Sequence, residues 1–115
     1  MAAKYKLFIE QGATFRQVLT WKDASGAPVD VTGCVGRMQV RPSVDSDIVL
    51  LELTSVTGGV TFGGATGAIT LFISAAQTAG IDWLSGVYDL EVEFPDGTVR
   101  RLIYGNVSVS LEVTR

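Results

Sequence analysis

The stretch Tyr88-Asp-Leu-Glu-Val-Glu-Phe-Pro-Asp-Gly-Thr-Val-Arg-Arg-Leu-Ile-Tyr104 reads as a β-hairpin. Tyr88, Leu90, Val92 and Phe94 fall on one face of a strand; Asp89, Glu91 and Glu93 fall on the other. That period-two alternation belongs to an antiparallel strand with one wet face. Pro95 at the first central position, Asp96 next and Gly97 in the left-handed slot specify a type I turn closed by a Gly bulge. A loop of that kind sets Leu90 opposite Leu102, Tyr88 opposite Tyr104 and Glu91 opposite Arg101. A two-residue loop would bury Arg101 beside Val92, so the bulged register is expected.

The same grammar extends in both directions. Towards the C-terminus, Val107, Val109, Leu111 and Val113 alternate with Ser108, Ser110 and Glu112 as a final strand. Upstream, Ser74-Ala-Ala-Gln77 fits a capping box and opens one helical turn from Ala75 to Ile81. Val60 to Phe62 and Ile69 to Ile73 flank the Gly63–Gly67 turn as a second hairpin. Ile48 to Thr54 reads as a strand, separated by a polar Ser43–Asp47 loop from another, Cys34 to Arg41, that Pro42 ends. On that strand Val35, Arg37, Gln39 and Arg41 share one face, with Cys34, Met38 and Val40 on the other. Asp23-Ala-Ser-Gly26 is a turn, because Asp caps its own backbone and Gly accepts positive φ. Phe15, Leu19 and Trp21 share one face before it, and Tyr5, Leu7 and Ile9 begin the series. The expectation is an all-β chain: a single antiparallel β-sandwich domain over 1–115, of about eight short strands with turn signals every 8–12 residues and one short helical turn near 75–81.

Composition narrows the chemistry. The chain has 115 residues, 47% hydrophobic and 18% charged, which suits one folded domain rather than a disordered chain. Nine basic against twelve acidic residues leave a net charge of −3, with no basic surplus for phosphates, so nucleic acid is not an expected partner. Histidine is absent, which removes its general-base and metal-ligand chemistry. Cys34 is the sole cysteine, so neither an internal disulfide nor a thiolate zinc cage can form. The opening apolar run, Leu7 to Ile9, falls short of a secretory h-region of about 7–15 residues. No run approaches the roughly 18 residues of a membrane span. A soluble chain without its own export signal is expected.

Each candidate site competes with a plainer role. Asp89, Glu91 and Glu93 have the residue type of a glycosidase pair, but no second acid from another strand joins them, so they read as a solvated face. Asp45 and Asp47 lack the further oxygens a calcium loop needs. Gly63-Gly-Ala-Thr-Gly67 lacks the Lys and following helix of a phosphate loop. Cys34 has no cationic neighbour to activate it. Trp21, Trp83, Tyr5, Tyr88 and Tyr104 could build a sugar-stacking platform, yet alternation assigns Trp21, Tyr88 and Tyr104 to packing. Trp83, with Leu84 in the Gly80–Gly86 loop, is the candidate exposed anchor of an interface. Tyr5 and Lys6, in the arm opening at Met1, are a second candidate, since a terminal strand can extend a partner's sheet. No catalytic residue, cofactor, metal or small-molecule substrate is expected.

The order of these signals resembles a known family. Ile9-Glu-Gln-Gly-Ala-Thr-Phe15 leads to Leu19-Thr-Trp-Lys-Asp23, then Gly26-Ala-Pro-Val-Asp-Val-Thr-Gly33 and Met38-Gln-Val-Arg41. Gly67-Ala-Ile-Thr-Leu71, Ser74-Ala-Ala-Gln-Thr-Ala79, Tyr88-Asp-Leu-Glu91 and Gly105 to Arg115 follow. The series is similar to small β-sandwich proteins of tailed-bacteriophage tail-fibre and baseplate modules, the long-tail-fibre-connector-like family, over nearly the whole chain. The resemblance implies an Ig-like adaptor without enzymatic activity. It implies as partners other phage structural proteins and copies of itself, and a place in the virion after folding in the host bacterial cytoplasm. A capsid decoration or neck protein is the nearest alternative, and a carbohydrate-binding module a further one.

Overall fold

Alternating apolar side chains need a second apolar layer to hide against, and this chain builds both layers from itself. A computed structural model describes residues 3–114. Its strands are β1 (Ala3–Lys4), β2 (Leu7–Glu10), β3 (Phe15–Thr20), β4 (Val35–Arg41), β5 (Leu51–Thr54), β6 (Val60–Phe62), β7 (Ala68–Ile73), β8 (Ser85–Glu93) and β9 (Val99–Ser110), with helix α1 (Ala75–Ala79) between β7 and β8. One sheet has the order β1-β9-β8-β4-β5, with β2 also on β9; the other is β3-β7-β6. The first strand, broken into β1 and β2, runs parallel to β9, and the remaining pairs are antiparallel. This division of strands is the immunoglobulin-like sandwich, with β5 as an added edge strand of the larger sheet, beside β4.

The core lies between the sheets. Leu7, Ile9, Met38, Val40, Leu53, Leu90, Val92 and Val107 from the larger sheet meet Val60, Ile69, Leu71 and Ile73 from the smaller, all buried. Antibody domains tie their sheets with a disulfide. Here the facing positions are aliphatic, and Cys34 stays a free, buried thiol.

The β8–β9 turn forms as its residues specify. Phe94 N–H donates to the Thr98 carbonyl at 2.8 Å, and Gly97, at φ +89°, donates to Phe94 at 2.9 Å. Asp96 accepts the Thr98 N–H at 2.9 Å. Glu91 stands opposite Arg101, but the pairing then shifts: Leu90 faces Ile103 and Tyr88 faces Gly105. The expected Leu90–Leu102 and Tyr88–Tyr104 pairs do not form. Arg101 belongs on the wet face while Ile103, Val107 and Val109, two, six and eight residues on, belong in the core. Leu102 is the extra residue that changes the phase.

Other boundaries move for equally local reasons. The final strand ends at Ser110, because its partner β2 ends at Glu10; Leu111 and Val113 lie beyond it, exposed. β5 begins at Leu51 rather than Ile48, since pairing with β4 stops at Val40–Leu51 and Pro42 follows one residue after β4 itself ends. Ser74 and Gln77 exchange both capping-box hydrogen bonds, at 3.0 and 3.1 Å, but α1 stops at Ala79 and Ile81 turns into the core. Within α1, Thr78 is fully buried and donates to the Ala13 carbonyl at 2.8 Å, fixing the β2–β3 corner.

Apart from its chain neighbours, no residue has an atom within 4 Å of the position a Cβ would take at Gly97, so a substitution there meets only backbone strain. Gly97→Val should lower stability by about 1–2 kcal/mol. Thermal unfolding measures it; an unchanged Tm would contradict the bulged turn.

Candidate interaction surfaces

The opening arm is held by its own sheet. Tyr5 N–H donates to the Tyr104 carbonyl at 2.8 Å, and the Tyr5 carbonyl accepts the Tyr88 hydroxyl. Gly105 makes that possible: a Cβ there would come within 2.5 Å of the Tyr5 oxygen. The missing side chain lets the arm cross low over β9, within reach of the phenol opposite. Burial, reinforced by neighbouring Tyr5, pushes the Tyr88 phenol well above its ordinary range, so it remains a donor. The Lys6 ammonium rests 5.0 Å from the centre of the exposed Phe8 ring. One edge of the arm is therefore paired internally, and its outer edge is open among the described residues. Met1 and Ala2 of the arm, and Arg115, lie outside those residues.

The outer face of the larger sheet is a mesh of charge. Arg37 bonds Glu91 at 2.8 Å and Glu93 at 3.1 Å, and Gln39 donates to Glu52 at 2.8 Å. Glu91 and Glu93 are thus both tied to the Arg37 guanidinium. Beside them opens a cleft of about 470 Å³, bordered by Lys4, Arg41, Arg101, Asp89, Tyr104 and Asn106. Burial raises the Asp89 carboxyl, the Glu91 charge adds to this, and Arg101 and Arg41 oppose it. Tyr104 joins this face through the Leu102 bulge, and the Arg101 guanidinium lies 5.1 Å from its ring centre. The cleft offers cations, amides and one aromatic edge, which is binding chemistry.

Other candidates separate from this face. Trp83 is half-buried against the core, so it is not the exposed anchor its loop suggests. Leu84 beside it is 60% exposed, with its carbonyl accepting Val109 N–H at 2.8 Å. Asp45 accepts the Ser43 hydroxyl at 2.9 Å, and among the described residues no three Asp, Glu, Cys or His side chains converge on a metal position. Burial, with Asp30 and Asp96 nearby, raises the Cys34 thiol away from the reactive thiolate. Sequence reasoning missed the β4–β5 loop, where Val44 is 88% and Ile48 62% exposed, with Val49 exposed beside them. Its signal was the unbroken run Ile48-Val-Leu-Leu51, which cannot alternate and so must leave some aliphatic groups in water.

No protein-family model matches the sequence, and no curated protein matches it. Among solved structures, the chain is similar to the extracellular domain of the voltage-gated sodium channel beta4 subunit, described as parallel homodimers that explain a role in cell-cell adhesion. The TM-score is 0.51 at 9% identity, covering 98% of this chain and 96% of that one. It is also similar to Tim-1, with a TM-score of 0.48 at 13% identity, covering 100% and 99%. The first likeness is one of fold alone, that of an Ig-like sandwich.

Tyr88→Phe should cost about 1 kcal/mol and free the arm first. Hydrogen exchange should speed at Tyr5 and Leu7 while the amides of β4 hold. Uniform acceleration across both would mean that the hydroxyl does not anchor the arm.

Proposed function

We propose that this chain is a non-enzymatic structural protein of a tailed-bacteriophage particle, an Ig-like adaptor in the tail, baseplate or fibre attachment. The ordered series of motifs from Ile9 to the C-terminal segment carries the reading, since it spans nearly the whole chain and resembles proteins of those modules. The surface chemistry supports it. Exposed Val44, Ile48 and Val49 on one loop are what a protein partner covers, and such aliphatic groups are seldom left bare together. The carboxylates nearest to a catalytic spacing are tied to Arg37, and the one thiol is buried. Its partners are other particle proteins and further copies of itself. A capsid decoration or neck position is the alternative within the same particle.

The cleft beside Tyr104 favours a second reading, a carbohydrate-binding module. Amide and charged side chains next to an aromatic ring can hydrogen-bond hydroxyls and stack on a sugar. In this reading the stacking ring is Tyr104, which borders the cleft, in place of Trp83, which packs against the core.

Quantitative mass spectrometry of purified particles, scaled to the major capsid protein, tests the first reading. Copy numbers on the order of ten place the chain in the tail or fibre apparatus, and hundreds place it on the capsid. Absence from the particle overturns the proposal. A glycan array with the native chain and Tyr104→Ala tests the second: binding lost on substitution supports it, and no binding removes it.

A further inference from the structure

The sandwich leaves several sheet edges unpaired, and all but one carry a device that discourages pairing. The β1/β2 edge is broken after Lys4 and bears Lys4, Lys6 and Glu10. β5 is four residues long and ends in a turn where Thr57 N–H donates to the Thr54 hydroxyl at 3.2 Å. β6 has three residues between glycine pairs, Gly58-Gly59 and Gly63-Gly64. β3 is six residues, unbroken, with no Gly, Pro or Lys, and among the described strands it pairs β7 alone. The first strand precedes β3 directly but is spent on β9, so no described strand pairs this side.

The hydrogen-bond phase shows what the edge offers. Trp21 N–H donates to Gly67 at 2.9 Å, continuing the β3–β7 register one step past Thr20–Ala68. Odd-numbered residues therefore bond β7, and Arg16, Val18 and Thr20 direct their N–H and C=O groups outwards. Their side chains share the outer face of the smaller sheet with Thr61, Ala68, Thr70 and Phe72. Arg16 is the one charge in this set, lying 4.9 Å from the Phe72 ring centre, and Val18 is 55% exposed.

We infer that β3 is a self-association edge, on which a second copy of this chain pairs its own β3 antiparallel about a twofold axis at Val18. In that register Val18 meets the partner's Val18, and Arg16 meets the partner's Thr20. Every outward N–H and C=O at the three positions finds a partner, giving about six hydrogen bonds and one continuous six-stranded sheet. The two Arg16 charges stand at opposite ends of the seam, so no like charges face each other. The larger sheet offers no such fit, because one of its edges, β1/β2, is broken and the other, β5, is only four residues long.

The inference rests on the self-association part of the reading above, and not on where in a particle the chain sits. Sedimentation velocity of the purified chain up to about 1 mM should show a reversible monomer–dimer equilibrium. Val18→Lys should raise its Kd at least tenfold with Tm unchanged, since that side chain faces solvent. Val18→Pro should do the same by deleting a central N–H that β7 does not use. Thr61→Lys, on the same face at the opposite edge, should leave the dimer intact. A chain that stays monomeric, Val18 variants that dimerise normally, or a Thr61→Lys as damaging as Val18→Lys would each overturn the proposal. Particle mass spectrometry is a separate readout, so failure here leaves the virion reading to stand or fall by itself.

Discussion

One inserted residue organises the larger sheet. Arg101 and Val107 have the same parity along β9, so a regular strand would put both in the core or both in water. Leu102 resolves the conflict by stepping the register between Leu90 and Glu91. Without it, Ile103, Val107 and Val109 would face solvent, each forfeiting roughly 1.5–3 kcal/mol of burial. The step also turns Gly105 inward opposite Tyr88 and Tyr104 outward opposite Asp89. The first makes the arm's close crossing possible, and the second supplies the aromatic wall of the cleft.

What could be read from sequence was what short-range chemistry determines. The Phe94–Thr98 turn, the Ser74–Gln77 capping box and the Asp23 turn each form through groups two to four residues apart. The faces of β4 followed from its alternation, because a strand between two neighbours has no freedom to slip. Strand ends were harder, since a strand stops where its partner stops. Ile48 and Leu111 continue an apolar pattern past the point where a neighbour remains to pair with. The phase conflict between Arg101 and Val107 was visible in principle, but only once both were assigned to one unbroken strand.

Surface candidates were less legible. Trp83 sits in a loop by every local sign, yet the fold draws it against the core. Tyr5 and Lys6 link β1 to β2, whose partner, β9, is about a hundred residues away in sequence, and no local pattern announces a parallel pairing of that span. The bare edge of β3 was invisible for the same reason. It exists because the strand before it goes elsewhere, which is a property of topology rather than of the six residues themselves.

The parallel pairing of β2 with β9 has a mechanical meaning. The chain enters the sheet through one of these strands and leaves it through the other, and the two point the same way. Tension between the two ends therefore slides the strands past each other, sharing the load across the hydrogen bonds from Leu7–Val107 to Glu10–Ser110. An antiparallel pair pulled from its open end would instead unzip one bond at a time. The crossing at Gly105, with Tyr88 holding the Tyr5 carbonyl, lies on the same seam and adds to its resistance. A domain wired this way stretches little before it yields.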